Sequence, residues 1–270
     1  MRAHALTALT AVALVATSAP AAATVPRQAG SVTWTTQVPG ASTGILIDFT
    51  FRNPDGANLK PHAVKSMVIR SPAGARIDTS VPPQCHATDA QLLVEGPAGC
   101  PADSKVGTAV VDSDTGSTGP FPRYTRTHVT NFNNQGEVIG VGVNDDLPAI
   151  KSVDRTKIAG NTSSTTFPVF PGQPPPDPFV AFKHLHIELA SYVRDGRPYA
   201  RTPPRCPAVG YWTIRATFTY HDGVSQSVDS HTPCRRAVRP PAGHGRHRWR
   251  PVRSAAGAAA RGDGASRRRR

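Results

Sequence analysis

Hydrophobic side chains recur at every second position in two long stretches of this chain, and that alternation predicts its architecture. In Gly44–Arg52, Ile45, Ile47, Phe49 and Phe51 fall on one face, with Leu46, Asp48 and Thr50 on the other. In Tyr211–Tyr220, Trp212, Ile214, Ala216, Phe218 and Tyr220 alternate with Thr213, Arg215, Thr217 and Thr219. Successive side chains of an extended chain point to opposite sides, so both stretches are strands with one dry and one wet face. Weaker alternation marks Val32–Gln37, Val64–Arg70, Val106–Asp112, Arg123–Asn131, Glu137–Val143, Ile150–Ile158, Val180–Leu189 and Val224–Ser230. Turn chemistry punctuates them at Asn53-Pro54-Asp55-Gly56, Asn133-Asn134-Gln135-Gly136, Asp195-Gly196 and His221-Asp222-Gly223. Short strands at this spacing predict an all-β fold, an antiparallel β-sandwich or a jelly-roll-like arrangement.

Only one helix is expected. Between Cys85 and Cys100, Thr88 and Gln91 have the spacing of a capping box, and Gly96-Pro97 stops the turn. Four cysteines allow three pairings, and joining sequence neighbours is the most economical: Cys85 with Cys100 and Cys206 with Cys234. The second bridge conflicts with a regular hairpin. If Tyr220 faces Val224, the ladder places Cys234 opposite Gly210 rather than Cys206, so an irregular lead-in is required at Pro207 and Gly210. Zinc ligation by these cysteines would need a close pair such as C-x-x-C, and the chain has none.

Composition sharpens this picture without changing it. With 27 Pro and 23 Gly in 270 residues, the chain is a poor helical bundle. Residues 1–23 read as a signal peptide: Arg2, an apolar run, Pro20, then Ala21 and Ala23 before a cleavage point. Export agrees with the expected disulfides, since bridges persist in oxidising compartments, and the predicted location is secreted or cell-envelope-associated. The formal net charge of +13 is unevenly placed. Residues 24–234 hold 18 basic and 17 acidic side chains, whereas residues 235–270 hold 12 arginines against Asp263 alone. The globular body is therefore near neutral, which argues against a nucleic-acid-binding surface. Residues 235–270 lose apolar periodicity and read as a disordered tail. Its Arg246, Arg248, Arg250 and Arg267, Arg268, Arg269 and Arg270 are candidates for contacting anionic envelope polymers or lipid headgroups.

Candidate chemistry is sparse. His184-Leu185-His186-Ile187-Glu188 places two imidazoles and a carboxylate on one face of a strand, a common set for a divalent metal. The bland alternative is a solvated strand face opposite a dry face of Leu185, Ile187 and Leu189. Lys183 fits that dry face poorly, and Val180 and Phe182 fall on the histidine side, so the start of this strand is ambiguous. Asp114-Thr115-Gly116-Ser117 copies the letters of an aspartic-protease loop. That chemistry needs two carboxylates sharing a proton, and no second copy exists, so a hairpin loop is the simpler reading. The spacing of Asp112, Asp114 and Gly116 lacks the further oxygen ligands of a calcium loop. No nucleophile elbow, phosphate-cradling loop or dinucleotide fingerprint is present.

The stretch from Thr202 to Cys234 carries Cys206-Pro207, Gly210, Trp212, Phe218-Thr219-Tyr220, Asp222-Gly223 and Pro233-Cys234. In these residues it resembles the C-terminal module of exported, cysteine-containing β-domain proteins of unassigned function from high-GC Gram-positive bacteria. Ala75–Gly107 resembles the companion module, and together the likeness spans most of residues 30–234. It implies a cysteine-stapled β domain and transfers no catalytic residue. The expectation is a non-catalytic secreted or envelope-associated module; the alternative is a metal-dependent extracellular enzyme acting on saccharides through His184, His186 and Glu188.

Overall fold

The structure is a computed structural model that describes residues 25–235. The signal-peptide reading and the tail arginines from Arg246 to Arg270 lie outside the described residues. In chain order the elements are β1 (Gln28–Trp34), β2 (Ile45–Phe51), β3 (Val64–Arg70), the short β4 (Arg76–Ile77), helix α1 (Asp89–Glu95), β5 (Lys105–Asp114), β6 (Tyr124–Asn134), β7 (Glu137–Asn144), β8 (Lys151–Ala159), β9 (Thr162–Thr166) and β10 (Ala181–Leu189). Three two-residue strands follow, β11 (Val193–Arg194), β12 (Arg197–Pro198) and β13 (Ala200–Arg201), then β14 (Tyr211–Tyr220) and β15 (Ser225–Pro233).

Eleven strands form one antiparallel sheet in the order β1-β2-β10-β5-β6-β7-β8-β9-β3-β14-β15. Layers arise because this sheet folds over on itself. Phe49 and Phe51 of β2 meet Phe218 of β14 edge-on, with ring centroids 4.8 and 5.4 Å apart, although seven strands separate β2 from β14 in the sheet. Trp34 and Trp212 repeat the contact at 5.2 Å. These rings, with Ile47, Ile69, Ile214 and Leu185, form the main core. Each such fully buried side chain contributes roughly 1.5–3 kcal/mol relative to exposure.

The first and last strands of the sheet meet without a backbone ladder. Instead, edge amides of β1 donate to side chains of β15: Val32 N–H to Ser230 Oγ at 2.9 Å and Trp34 N–H to Thr232 Oγ1 at 3.3 Å. Arg27 N–H donates to Gln226 Oε1 at 2.8 Å. Serine, threonine and glutamine oxygens thus satisfy amides that an open edge would leave as a template for aggregation.

Thr88 caps α1 with the reciprocal Gln91 contact expected of its spacing, and Leu92 packs under the helix against Phe132, Ile139 and Val141. The clipped helix therefore covers the outer face of β6 and β7. Both disulfides join the sequence neighbours, Cys85 to Cys100 and Cys206 to Cys234. Loops of 15 and 28 residues correspond to roughly 3 and 3.6 kcal/mol in the chain-entropy picture. The β14–β15 ladder runs from Thr219 opposite Ser225 to Tyr211 opposite Pro233. The irregular lead-in is a turn: Gly210 N–H donates to Pro207 O, and Cys234 N–H donates to Gly210 O. Gly210 has φ +80°, which a side chain would resist. Both disulfides are compatible with an extracellular location, and among the described residues no helix is long and apolar enough to cross a membrane.

Candidate functional site

Two places on the sheet concentrate chemistry, one on each face of β10. On the outer face, β10 lies between β2 and β5, with His186 directly opposite Asp48 on one side and Val110 on the other. The sequence-predicted histidines are brought together there. His186 Nδ1 is 2.8 Å from Asp48 Oδ2, and His184 Nε2 is 3.3 Å from both Asp48 oxygens. Donor atoms of Asp48, His184 and His186 all lie within 4.8 Å of one another. Glu188, predicted as the third ligand, instead contacts the far nitrogen of His186, at 3.1 Å. On the other flank, His184 Nδ1 is 3.9 Å from Asp112, which Arg126 pairs at 2.7 Å. Partial burial works against the charge of Asp48, yet hydrogen bonds from His186 and His184 outweigh it and hold the carboxyl below its ordinary value. The same Asp48 contact, followed by that to Glu188, raises the basicity of His186.

The ambiguity at the start of β10 is resolved by a bulge. Its pairing with β5 slips between Phe182 and His184, so Phe182 turns inward and Lys183 turns outward. The Lys183 ammonium lies 4.2 Å from the ring centroid of Tyr124. Asp114 closes the β5–β6 hairpin loop, accepting from Gly116 N–H at 2.8 Å and pairing with Arg123 at 3.3 Å. That carboxylate is consumed by structure.

On the inner face of the same strands lies a cavity of about 540 Å³, which inspection of motifs does not reveal. Its walls include Ala109 and Val111 of β5, Thr127, Val129 and Asn131 of β6, Leu185 and Ile187 of β10, and the two ends of a proline-rich segment, Phe167–Gln173 and Phe179–Val180. Phe121, Ile150 and Val169 are exposed at its margin. The proline-rich segment is pinned as a wall. Buried Lys60 donates to Asp177 O and Phe179 O, both at 2.6 Å, and Gln173 N–H donates to Thr115 O at 2.7 Å. Burial lowers the basicity of Lys60, and Asp177 partly offsets this.

Among the polar residues of this largely apolar lining, Asn131 and Asp154 stand close together. Asn131, Gly140 and Asp154 are neighbours in register across β6, β7 and β8. Gly140 supplies the room between them: a Cβ at this position would collide with the Asp154 carboxyl. The amide Nδ2 of Asn131 is buried without a hydrogen-bond partner. Asp154 keeps contact with the cavity while protein surrounds it, and that burial pushes its carboxyl up to about 7, against a smaller opposing effect of the Gly140 amide.

No protein-family model, no curated protein and no solved structure matches this chain. The function must therefore be argued from these two faces.

Proposed function

We propose that this protein is an exported, disulfide-stapled, non-catalytic module that holds one small, largely apolar molecule inside its folded sheet. The observation that carries this reading is the cavity of about 540 Å³. Its size falls within the roughly 300–1,000 Å³ of ligand sites, and its lining has their character, apolar walls with a few polar groups. An unpartnered buried amide normally costs about 1–3 kcal/mol, so Asn131 supports a bound acceptor. A hydroxyl fits best: it accepts from Asn131 and donates to or accepts from Asp154, whereas an ionised carboxylate would face a second acid. The preferred ligand is therefore a largely apolar molecule that carries a hydroxyl.

The metal-dependent enzyme reading is less well supported. The histidines stand on the opposite face of β10 from the cavity, so an ion there would not touch a molecule inside. The resemblance to exported, cysteine-stapled proteins favours the non-catalytic module as well.

Titration of the full chain with N-phenyl-1-naphthylamine, an apolar fluorophore, tests the proposal. Saturable one-to-one binding is expected. It should weaken at least tenfold in Ala109→Phe/Thr127→Phe, which fills the cavity, and decanol should displace the probe better than decanoate at pH 8. Absence of saturable binding by the folded protein, or binding indifferent to the filling substitutions, would refute the carrier role.

A further inference from the structure

We infer that Asp48, His184 and His186 form a site for a divalent cation of the zinc class on the outer face of the sheet. This is independent of the interior ligand.

Three features of the outer face carry the inference. The first is donor geometry. Tetrahedral zinc with ligands about 2.0–2.1 Å away holds its donor atoms roughly 3.3 Å apart. The Asp48 to His184 separation is already 3.3 Å, and the Asp48 to His186 separation of 2.8 Å needs only a small opening. A rigid platform holds all three residues: His184 and His186 point the same way from one strand, and Asp48 lies directly across the ladder from His186.

The second feature is orientation from behind. A histidine ligand usually donates its remaining ring N–H to a carboxylate, which fixes the tautomer and aims the other nitrogen at the metal. His186 has such a partner, turning Nδ1 to Asp48 and Nε2 to Glu188 at 3.1 Å. His184 turns Nε2 to Asp48, and its Nδ1 lies 3.9 Å from Asp112, close enough for charge attraction but beyond a hydrogen bond. In this arrangement Glu188 is a positioning residue and not a ligand, which gives the H-x-H-x-E pattern a different division of labour from the one its letters suggest.

The third feature is charge and access. Arg126 neutralises Asp112, so with neutral imidazoles Asp48 and Glu188 leave two negative charges beside the site, matching a divalent ion. The side chains of Asp48, His184 and His186 are 44, 36 and 31% exposed, which leaves a solvent route for entry and for water as the fourth ligand.

Calorimetric titration of the metal-free full chain with Zn²⁺ tests the site, with Mg²⁺ as the hard-cation comparison. One zinc equivalent should bind that is lost in His184→Ala/His186→Ala and in Asp48→Ala, and Mg²⁺ should not compete. Glu188→Gln should keep the stoichiometry but weaken affinity about tenfold or more. The proton resonances of both imidazole rings should shift on zinc addition in the parent protein and in Glu188→Gln. Zinc uptake unchanged in the double histidine variant would assign the metal to other residues and overturn the site, as would no uptake by the folded parent. An unchanged affinity in Glu188→Gln would remove its positioning role. Because the probe-binding experiment reads the opposite face, either result stands without the other.

Discussion

Asp154 makes the stability of the protein depend on pH with a sign that a carboxylate in an ion pair would not produce. Burial raises its carboxyl from 3.8 to about 7, so the folded chain binds this proton more tightly than the unfolded chain does. Linkage then requires stability to fall as pH rises between those two values. The contribution is fully present below about pH 4, is lost as pH passes through about 7, and is constant above. Each pH unit in that window is worth at most about 1.4 kcal/mol, giving a ceiling of roughly 4 kcal/mol. Since the carboxyl keeps contact with the cavity, about half that ceiling is the working expectation.

Asp154→Asn removes the titration while keeping the shape. Urea unfolding with both disulfides intact, followed at several pH values from 4.5 to 8, should show the parent losing about 2 kcal/mol relative to the variant across this range. The difference isolates Asp154. Asp78, Asp112, Asp222 and Asp229 are all held below 3.8 and lose their contributions only in more acidic solution. Lys151 and His221, the other titratable groups of the cavity wall, are common to both proteins, as are the outer-face histidines. Parallel pH profiles for parent and variant would refute the claim that Asp154 is desolvated.

Four further substitutions probe the β1–β15 seam and the proline-rich wall of the cavity. Ser230→Ala and Thr232→Val each remove the acceptor for a buried β1 amide and should cost about 1–3 kcal/mol in urea unfolding, whereas Ser227→Ala, on the exposed side of the same strand, should change stability by less than about 0.5 kcal/mol. Lys60→Ala leaves Asp177 O and Phe179 O without their donor and should cost roughly 3 kcal/mol, with hydrogen exchange rising selectively across Phe167–Phe179; uniform exchange over the whole chain would show that Lys60 does not anchor that wall.

Strands were legible wherever one face is dry. Tyr211–Tyr220 coincides with β14 to the residue because its apolar set alternates without interruption, and Val64–Arg70 coincides with β3 although its buried set, Val64, Met67 and Ile69, breaks step once where the ladder with β14 slips. β9 was not legible, because Thr162-Ser163-Ser164-Thr165-Thr166 has no apolar residue to betray a face. It is held by its neighbours on both sides and by the Thr156–Thr165 hydroxyl pair at 2.7 Å. The histidine pair could be read from its spacing, whereas Asp48 could not, since a partner 136 residues away is a property of sheet order. A cavity is harder still, because it consists of side chains that are absent. Gly140 and Gly142 look like weak points of a strand, yet their missing Cβ atoms leave room for Asp154 and Ser152.

One signal did point inward. The alternation of β10 fails at Lys183, and that is where the ladder slips to send Phe182 toward Phe167 and the cavity, the two rings meeting at 4.9 Å. A charged residue on the dry face has two physical solutions, a buried partner or a change of register. Lys60, held by carbonyls, takes the first, and Lys183, resting on Tyr124, takes the second. Lys60 holds the proline-rich wall and Lys183 follows Phe182 in the wall made by β10, so these two breaks in simple burial rules fall where the chain departs from a filled core.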